Sequence, residues 1–221
     1  MAKTLVIGAS GGIGAALCTA LRDAGQQVTA LSRRDTGIDL TDEASIRDAL
    51  ASLEPPYSQI IVATGALVID GAEPEKTLRD LDPTALAAQY QLNAIGPALV
   101  LKHALRLLPR DERTVFAALS ARVGSIGDNR LGGWYGYRAA KAGLNALIHG
   151  GAIEVARSHP QAICVCLHPG TVATEFTRAY AGRHPTVPPA EAAANLLRVM
   201  EGLTPADSGG FHDWAGATVP W

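Results

Sequence analysis

Thr4-Leu5-Val6-Ile7-Gly8-Ala9-Ser10-Gly11-Gly12-Ile13-Gly14 is the stretch that decides the fold. A short β-branched and leucine run enters a glycine cluster, and a helical stretch from Gly12 to Ala24 follows, closed by Gly25. Strand, turn and helix in that order make a place where a dinucleotide pyrophosphate can come close to backbone. Glycines remove the Cβ atoms that would block the approach, and a helix N-terminus offers unpaired N–H groups with a partial positive charge. The spacing G-x-x-x-G-x-G differs from the common G-x-G-x-x-G fingerprint. No Gly-Lys-Ser/Thr follows, which disfavours triphosphate hydrolysis. Taken alone, the cluster also fits an ordinary glycine-rich β–α turn.

Outward from this turn the alternation continues. Gln27 to Leu31, Ile60 to Ala63, Thr114 to Leu119 and Ile163 to Leu167 read as strands. Pro83 to Leu108, opened by Asp82 as N-cap and a first-turn proline, reads as a long helix, and Leu144 to Ser158 as another. Alternating β and α predicts an α/β fold, a Rossmann-type doubly wound parallel sheet with helices on both faces. The 221 residues, 48% apolar, suffice for a single domain over 1–221. Pro-containing stretches at 54–57 and 185–189 read as loops within it.

Nineteen Lys and Arg against 21 Asp and Glu leave a formal charge of -2, so no electrostatic footprint for nucleic acid exists. Apolar runs such as Ala98 to Leu101 fall far short of the ~20 residues that span a bilayer. Met1-Ala2-Lys3-Thr4 opens no signal peptide, and a cytoplasmic location is expected. Cys18, Cys164 and Cys166 read as buried reduced thiols on a helix and a strand. The histidines show no H-x-x-x-H spacing, so no metal site is expected.

The glycine turn is similar to the Thr-Gly-x-x-x-Gly-Ile-Gly of the short-chain dehydrogenase/reductase family, with Ile7 in place of the leading Thr. Further motifs recur in the family's order along nearly the whole chain. Ala63-Thr64-Gly65-Ala66 stands where the family carries Asn-Asn-Ala-Gly, and Asn93 occupies its Asn on the next long helix. Tyr137-Arg138-Ala139-Ala140-Lys141 gives Tyr-x-x-x-Lys, and Pro169-Gly170-Thr171-Val172-Ala173-Thr174 gives Pro-Gly-x-Val-x-Thr. Arg122-Val123-Gly124-Ser125-Ile126, Gly132-Gly133-Trp134-Tyr135 and Pro220-Trp221 resemble the branch of C-factor-like and sniffer-like carbonyl reductases. From Ser32 to Asp39-Leu40, which resembles the family's adenine-contacting Asp-Val, only six residues intervene. The helix after strand two is therefore expected to be missing, leaving one sheet edge barer.

The resemblance implies a nicotinamide dinucleotide held by Gly8, Ser10, Gly11, Gly12, Ile13 and Gly14, by Asp39 and Leu40, and by Ala63, Thr64 and Gly65. Pro169, Gly170, Thr171, Val172 and Thr174 would contact the nicotinamide carboxamide. Folds of this kind that choose NAD place an acid on the adenosine ribose, and those that choose NADP place an Arg on the 2′-phosphate. Asp35 lies near the generic distance, but the strand ends at Leu31 or Ser32, so the ribose-facing position falls to Ser32. Arg33 and Arg34 follow at once, and a guanidinium can grip a phosphate through two parallel bonds. NADP(H) is expected to be preferred, with NAD(H) the alternative.

Tyr137 and Lys141 lie four residues apart, so if Tyr137 to Ser158 is helical both point to one face. An ammonium beside a phenol favours phenolate, which should bring Tyr137 down toward neutral pH. By resemblance, Tyr137 exchanges a proton with the substrate oxygen, Lys141 also holds the nicotinamide ribose, and Asn93 binds a water joining Lys141 to solvent. Tyr135 has Ala139 four residues on and so no lysine partner. The family's Ser-Ser-x-x-Gly reads Ser120-Ala121-Arg122-Val123-Gly124 here, so its catalytic serine falls on Ala121. Counting back from Tyr137 favours Ser125 over Ser120 as the hydroxyl that binds the substrate oxygen. Glu175 to Pro189, with Phe176 and Tyr180, reads as a lid, and Trp134 as a pocket wall or a packing residue.

Together these residues imply hydride transfer between NADP(H) and a small carbonyl or secondary alcohol. The competing readings are a catalytically idle NADP(H) sensor, prompted by Ala121, and a methyltransferase-type fold, which leaves Tyr137 with Lys141 unexplained. Family members usually pair through the helices carrying Asn93 and Tyr137, so a homodimer or homotetramer is expected, with Leu144 to Ile148 as an apolar contact surface.

Overall fold

The computed structural model describes residues 3–178 and 185–221. Every inner strand of its sheet is apolar on both faces, because helices cover both. Leu5 and Ile7 of β1 (Lys3–Ile7) enter one core while Val6 enters the other. The helix α1 (Gly12–Asp23) returns the chain to the parallel β2 (Gln27–Leu31). A single helical turn, α2 (Arg33–Thr36), and then α3 (Glu43–Ala51) lead into β3 (Gln59–Val62). Next comes α4 (Pro83–Tyr90), a π-helical segment Gln91–Ile95 and α5 (Gly96–Ala104), before β4 (Thr114–Leu119). The long α6 (Tyr135–Val155), β5 (Ala162–His168), α7 (Pro189–Gly202) and β6 (Phe211–Asp213) complete the order.

The six strands are parallel in the order β2-β1-β3-β4-β5-β6. From β1 the chain winds first to β2 and then back past itself to β3, so a crevice opens at the carboxyl ends where the order reverses. One face carries Ile46 and Leu50 of α3, Val100 of α5 and Leu144 and Ile148 of α6. The other carries Leu17 and Leu21 of α1 and Leu196 and Met200 of α7. Phe116, Cys164 and Cys166 alternate with Val115, Ile163 and Val165 between these two cores. All three cysteines are free and buried. No helix among the described residues is long and apolar enough to cross a membrane.

Three sequence expectations change. The segment after β2 is not bare of helix, because Ser32 caps the one turn of α2 by accepting from the Asp35 N–H. β2 is nonetheless the sheet edge, with Gln27 exposed and Val28 to Ala30 half-buried. Leu144 and Ile148 offer no contact surface, since both are buried in the core beneath α6. The helix expected from Pro83 to Leu108 is interrupted by the π segment that contains Asn93. α3, α7 and β6 have no counterpart in the sequence reading.

Candidate active site

At the end of β1 the backbone itself makes the site. Gly8 turns at φ +90°, and a Cβ there would lie 2.6 Å from the Ala63 carbonyl oxygen. A Cβ on Gly14 would lie 2.2 Å from the Gly8 carbonyl oxygen, so α1 can start this close to β1 only without one. Gly11 caps α1 with no side-chain acceptor, leaving the first N–H groups of the helix to an outside partner. Gly11, Gly12 and Ile13 line one end of a cavity of about 650 Å³. Ala63, Thr64 and Gly65, then Pro169 to Val172 and Thr174, line its middle, and Tyr137 and Lys141 its far end. The buried Thr64 hydroxyl has no partner within the described residues. An uncapped helix start, a glycine cradle and an orphan hydroxyl along one cavity fit a dinucleotide.

Asn93 is fully buried, does not line the cavity, and lies behind its 63–66 segment. Its Oδ1 accepts from the Ala66 N–H at 3.1 Å, and its Nδ2 donates to the Ala66 carbonyl and to Gln89 Oε1. Both amide protons are thus spent on protein, and the carboxamide pins the 63–66 segment. A Cβ on Gly65 would meet Asn93 Oδ1 at 2.9 Å and Lys141 Nζ at 3.6 Å, which places both groups around that glycine.

Lys141 is 2% exposed, and its Nζ donates to the Leu119 carbonyl at 2.9 Å. Burial of the ammonium lowers its pKa to about 8. Nζ stands 5.7 Å from the Tyr137 ring centroid. The expected depression of the tyrosine pKa does not occur: burial pushes the phenol above its ordinary value, so it stays protonated at neutral pH. Trp134 and Phe176 wall the phenol, with ring centroids 6.4 Å and 6.0 Å from it. Trp134 holds a left-handed φ of 52° just ahead of α6, where its N–H donates to the Glu75 carbonyl. Glu75 Oε2 in turn accepts from the Gly136 N–H, anchoring the turn that presents Tyr137. Tyr180 of the expected lid lies outside the described residues.

The hydroxyl assignment is corrected. Ser125 is buried, does not line the cavity, and its Oγ accepts from the Asp128 N–H at 3.1 Å. Ser120 does line the cavity, yet its proton goes to Asn145 Oδ1 at 2.7 Å. Ala121 brings no donor. His168, at the end of β5, also faces the cavity; burial lowers its pKa to about 4, so the imidazole is neutral.

The remaining expected contacts stand apart from the cavity lining. Ser10 lies in the turn, and Gly8 and Gly14 stand behind it. Ser32 is buried and donates to Asp35 Oδ2 at 2.6 Å. Arg34 pairs with the same Asp35, whereas Arg33 makes no ion pair within the described residues. Asp39 accepts from the N–H and hydroxyl of Thr41, which hold its carboxyl below the usual range. Leu40 is buried in the core against Gly96. The sequence reading missed Arg138, which lines the cavity beside Tyr137. Its only signal was its place next to the tyrosine.

A family model described as enoyl-(acyl carrier protein) reductase matches residues 8–209. The 1-hydroxy-2-glutathionyl-2-methyl-3-butene dehydrogenase of Rhodococcus sp. (strain AD45) is 30% identical over 100% of both chains. Among solved structures, the carbonyl reductase Sniffer of D. melanogaster superimposes with a TM-score of 0.86 at 21% identity, covering 100% of each chain. An NADPH-bound carbonyl reductase from chicken fatty liver gives 0.83 at 23% identity, covering 99% of this chain and 94% of that one. With the glycine turn, Asn93 and the Tyr137–Lys141 pair in family order along it, the chain belongs to the short-chain dehydrogenase/reductase family of oxidoreductases.

Proposed function

We propose that the chain moves hydride between NADP(H) and a small ketone, aldehyde or secondary alcohol. The observation that carries this reading is the single cavity with a bare glycine turn at one end and a buried phenol and amine at the other. When bound, the nicotinamide supplies or accepts the hydride. Gly11 to Ile13 would hold the pyrophosphate, and Thr171, Thr174 and the backbone around Pro169 the carboxamide. Arg33, which makes no ion pair among the described residues, would meet a 2′-phosphate. The NADPH in the carbonyl reductase from chicken fatty liver supports that choice.

Tyr137 donates its hydroxyl proton to the carbonyl oxygen as the carbon gains hydride, and the reverse transfer serves alcohol oxidation. Raised by burial, the phenol is the acid form that carbonyl reduction needs. Lys141, when protonated, stabilises the phenolate left behind and binds the ribose hydroxyls. Asn93 is a positioning residue that sets the Gly65 backbone beside Lys141. Because Ala121 has no hydroxyl and Ser120 gives its proton to Asn145, Tyr137 is the side-chain donor to the substrate oxygen in this reading.

NADPH absorbance followed with a panel of ketones and aldehydes tests the proposal. Consumption of NADPH, lowered at least ~100-fold in Tyr137→Phe, is expected, as general acids contribute about 10²–10⁴. Binding without consumption would favour the idle sensor that Ala121 brings to mind. Tighter binding of NADH than of NADPH would overturn the cofactor assignment.

A further inference from the structure

Two guanidinium groups line the substrate end of the cavity, Arg122 and Arg138, and they differ in charge balance. Arg122 Nε donates to Asp128 Oδ2 at 2.6 Å, and its NH1 lies 3.7 Å from Asp213 Oδ2. Its charge is answered. Arg138 has no ion pair among the described residues. Its Nε donates to the Gly133 carbonyl at 2.9 Å and its NH1 to the Val123 carbonyl at 3.2 Å, both neutral backbone acceptors. NH2 and the remaining NH1 proton have no acceptor among the described residues, although the group borders the cavity.

This placement leaves the guanidinium without a direct acidic partner among the described residues, although the buried Glu75 carboxylate also meets the first turn of α6 at the Gly136 N–H. Arg138 sits in the first turn of α6, at the positive end of a 21-residue helix, where anions and not cations are stabilised. It is partly buried, and burial lowers its pKa. A guanidinium held by two neutral carbonyls, on a residue that lines the cavity and with N–H groups left over, is set for a planar anion that two N–H groups can grip together.

We propose that the substrate carries a carboxylate, and that Arg138 binds it while Tyr137 meets the reacting oxygen. The inference rests on the hydride-transfer reading for the reacting group and on Arg138 alone for the anion. Leu131, Trp134 and Phe176 give the space between them apolar walls, so the ligand class is a keto acid or hydroxy acid with a compact hydrocarbon body.

The test compares 4-oxopentanoate with the neutral 4-oxopentanamide in NADPH oxidation, for the wild type, Arg138→Gln, Arg138→Lys and Arg122→Gln. The wild type is expected to prefer the acid at least tenfold in kcat/KM. That ratio should collapse in Arg138→Gln, recover in part in Arg138→Lys, and survive in Arg122→Gln. A ratio near one in the wild type, or one that follows Arg122, overturns the proposal while leaving the oxidoreductase reading intact. Should no ketone be reduced, ligand-observed NMR on the cofactor-free protein decides the anion site separately. Cyclohexanecarboxylate should then bind at least tenfold tighter than cyclohexanecarboxamide, and the difference should vanish in Arg138→Gln. Equal binding of the two probes would overturn the carboxylate site whatever the enzyme does.

Discussion

The two ends of the cavity are built from different materials. At the glycine end, the shape is main chain: Gly8 and Gly14 let β1, α1 and the Ala63 turn approach within distances that any Cβ would violate. At the tyrosine end, the shape is side chain: Tyr137, Lys141 and Arg138 project from one helix, and Ser120 and Ala121 follow the end of β4. A site made of backbone has no room for variation. One made of side chains can lose a hydroxyl, as at Ala121, with the sheet beneath it unchanged.

Gly14→Ala should break the first end most severely. The added methyl meets only backbone, the Gly8 carbonyl at 2.2 and 2.8 Å and the Ala9 Cα at 3.1 Å, so no side-chain rotation can relieve it. NADPH affinity is expected to fall at least ~100-fold, or ~2.7 kcal/mol. Fluorescence titration reads it, with a thermal melt to register any loss of fold. A methyl at Gly25 meets nothing within 4 Å, so only the strain of its positive φ would be felt. Equal losses at both positions would contradict the idea that close approach is what the turn requires.

Ala121→Ser probes the other end by addition. A second donor at the substrate oxygen should raise kcat/KM for ketone reduction. A pre-organised donor contributes about 10²–10³, and a newly installed hydroxyl without supporting contacts should give about tenfold. No gain, or a loss, would show that Tyr137 acts with help from a group other than a serine at this position.

The same contrast explains what could be read in advance. Strands were legible because burial on both faces leaves unbroken apolar runs such as Ile163 to Leu167, and the turn because glycine spacing is a direct record of backbone needs. α3 and α7 escaped, although Asp42 caps the first by accepting from the Ala44 N–H and Pro189 opens the second. Counting residues back from Tyr137 pointed to Ser125, but chain distance across the 128–133 segment carries no information about which way a hydroxyl turns. Ser125 is buried off the cavity lining, where its Oγ accepts from the Asp128 N–H. Arg138 stands about a hundred degrees around the helix from Tyr137, and only its long side chain, bonded to the Gly133 and Val123 carbonyls, explains its place in the cavity lining. Spacing placed Lys141 near Tyr137, yet only burial, invisible to spacing, decides that the phenol rises and the ammonium falls.

The smallest effect expected concerns that ammonium, and it is one of stability. Lys141 has a folded pKa of about 8, against ~10.4 for an unfolded lysine. Between these values the unfolded chain binds more protons than the folded one, so stability rises with pH across the window and is flat below it. Below pH 8 the fold carries a buried charge whose one acceptor among the described residues is the Leu119 carbonyl. Lys141→Met removes that burden and keeps the hydrocarbon stem. The variant should therefore melt about 4 °C higher than the wild type at pH 7, and the gap should shrink as the pH is raised from 8 toward 10. Turnover should be lost together with the gain. A gap that stayed constant across that range would mean that the lysine is not held against its own solvation, and that the tyrosine end, like the glycine end, owes its form to packing alone.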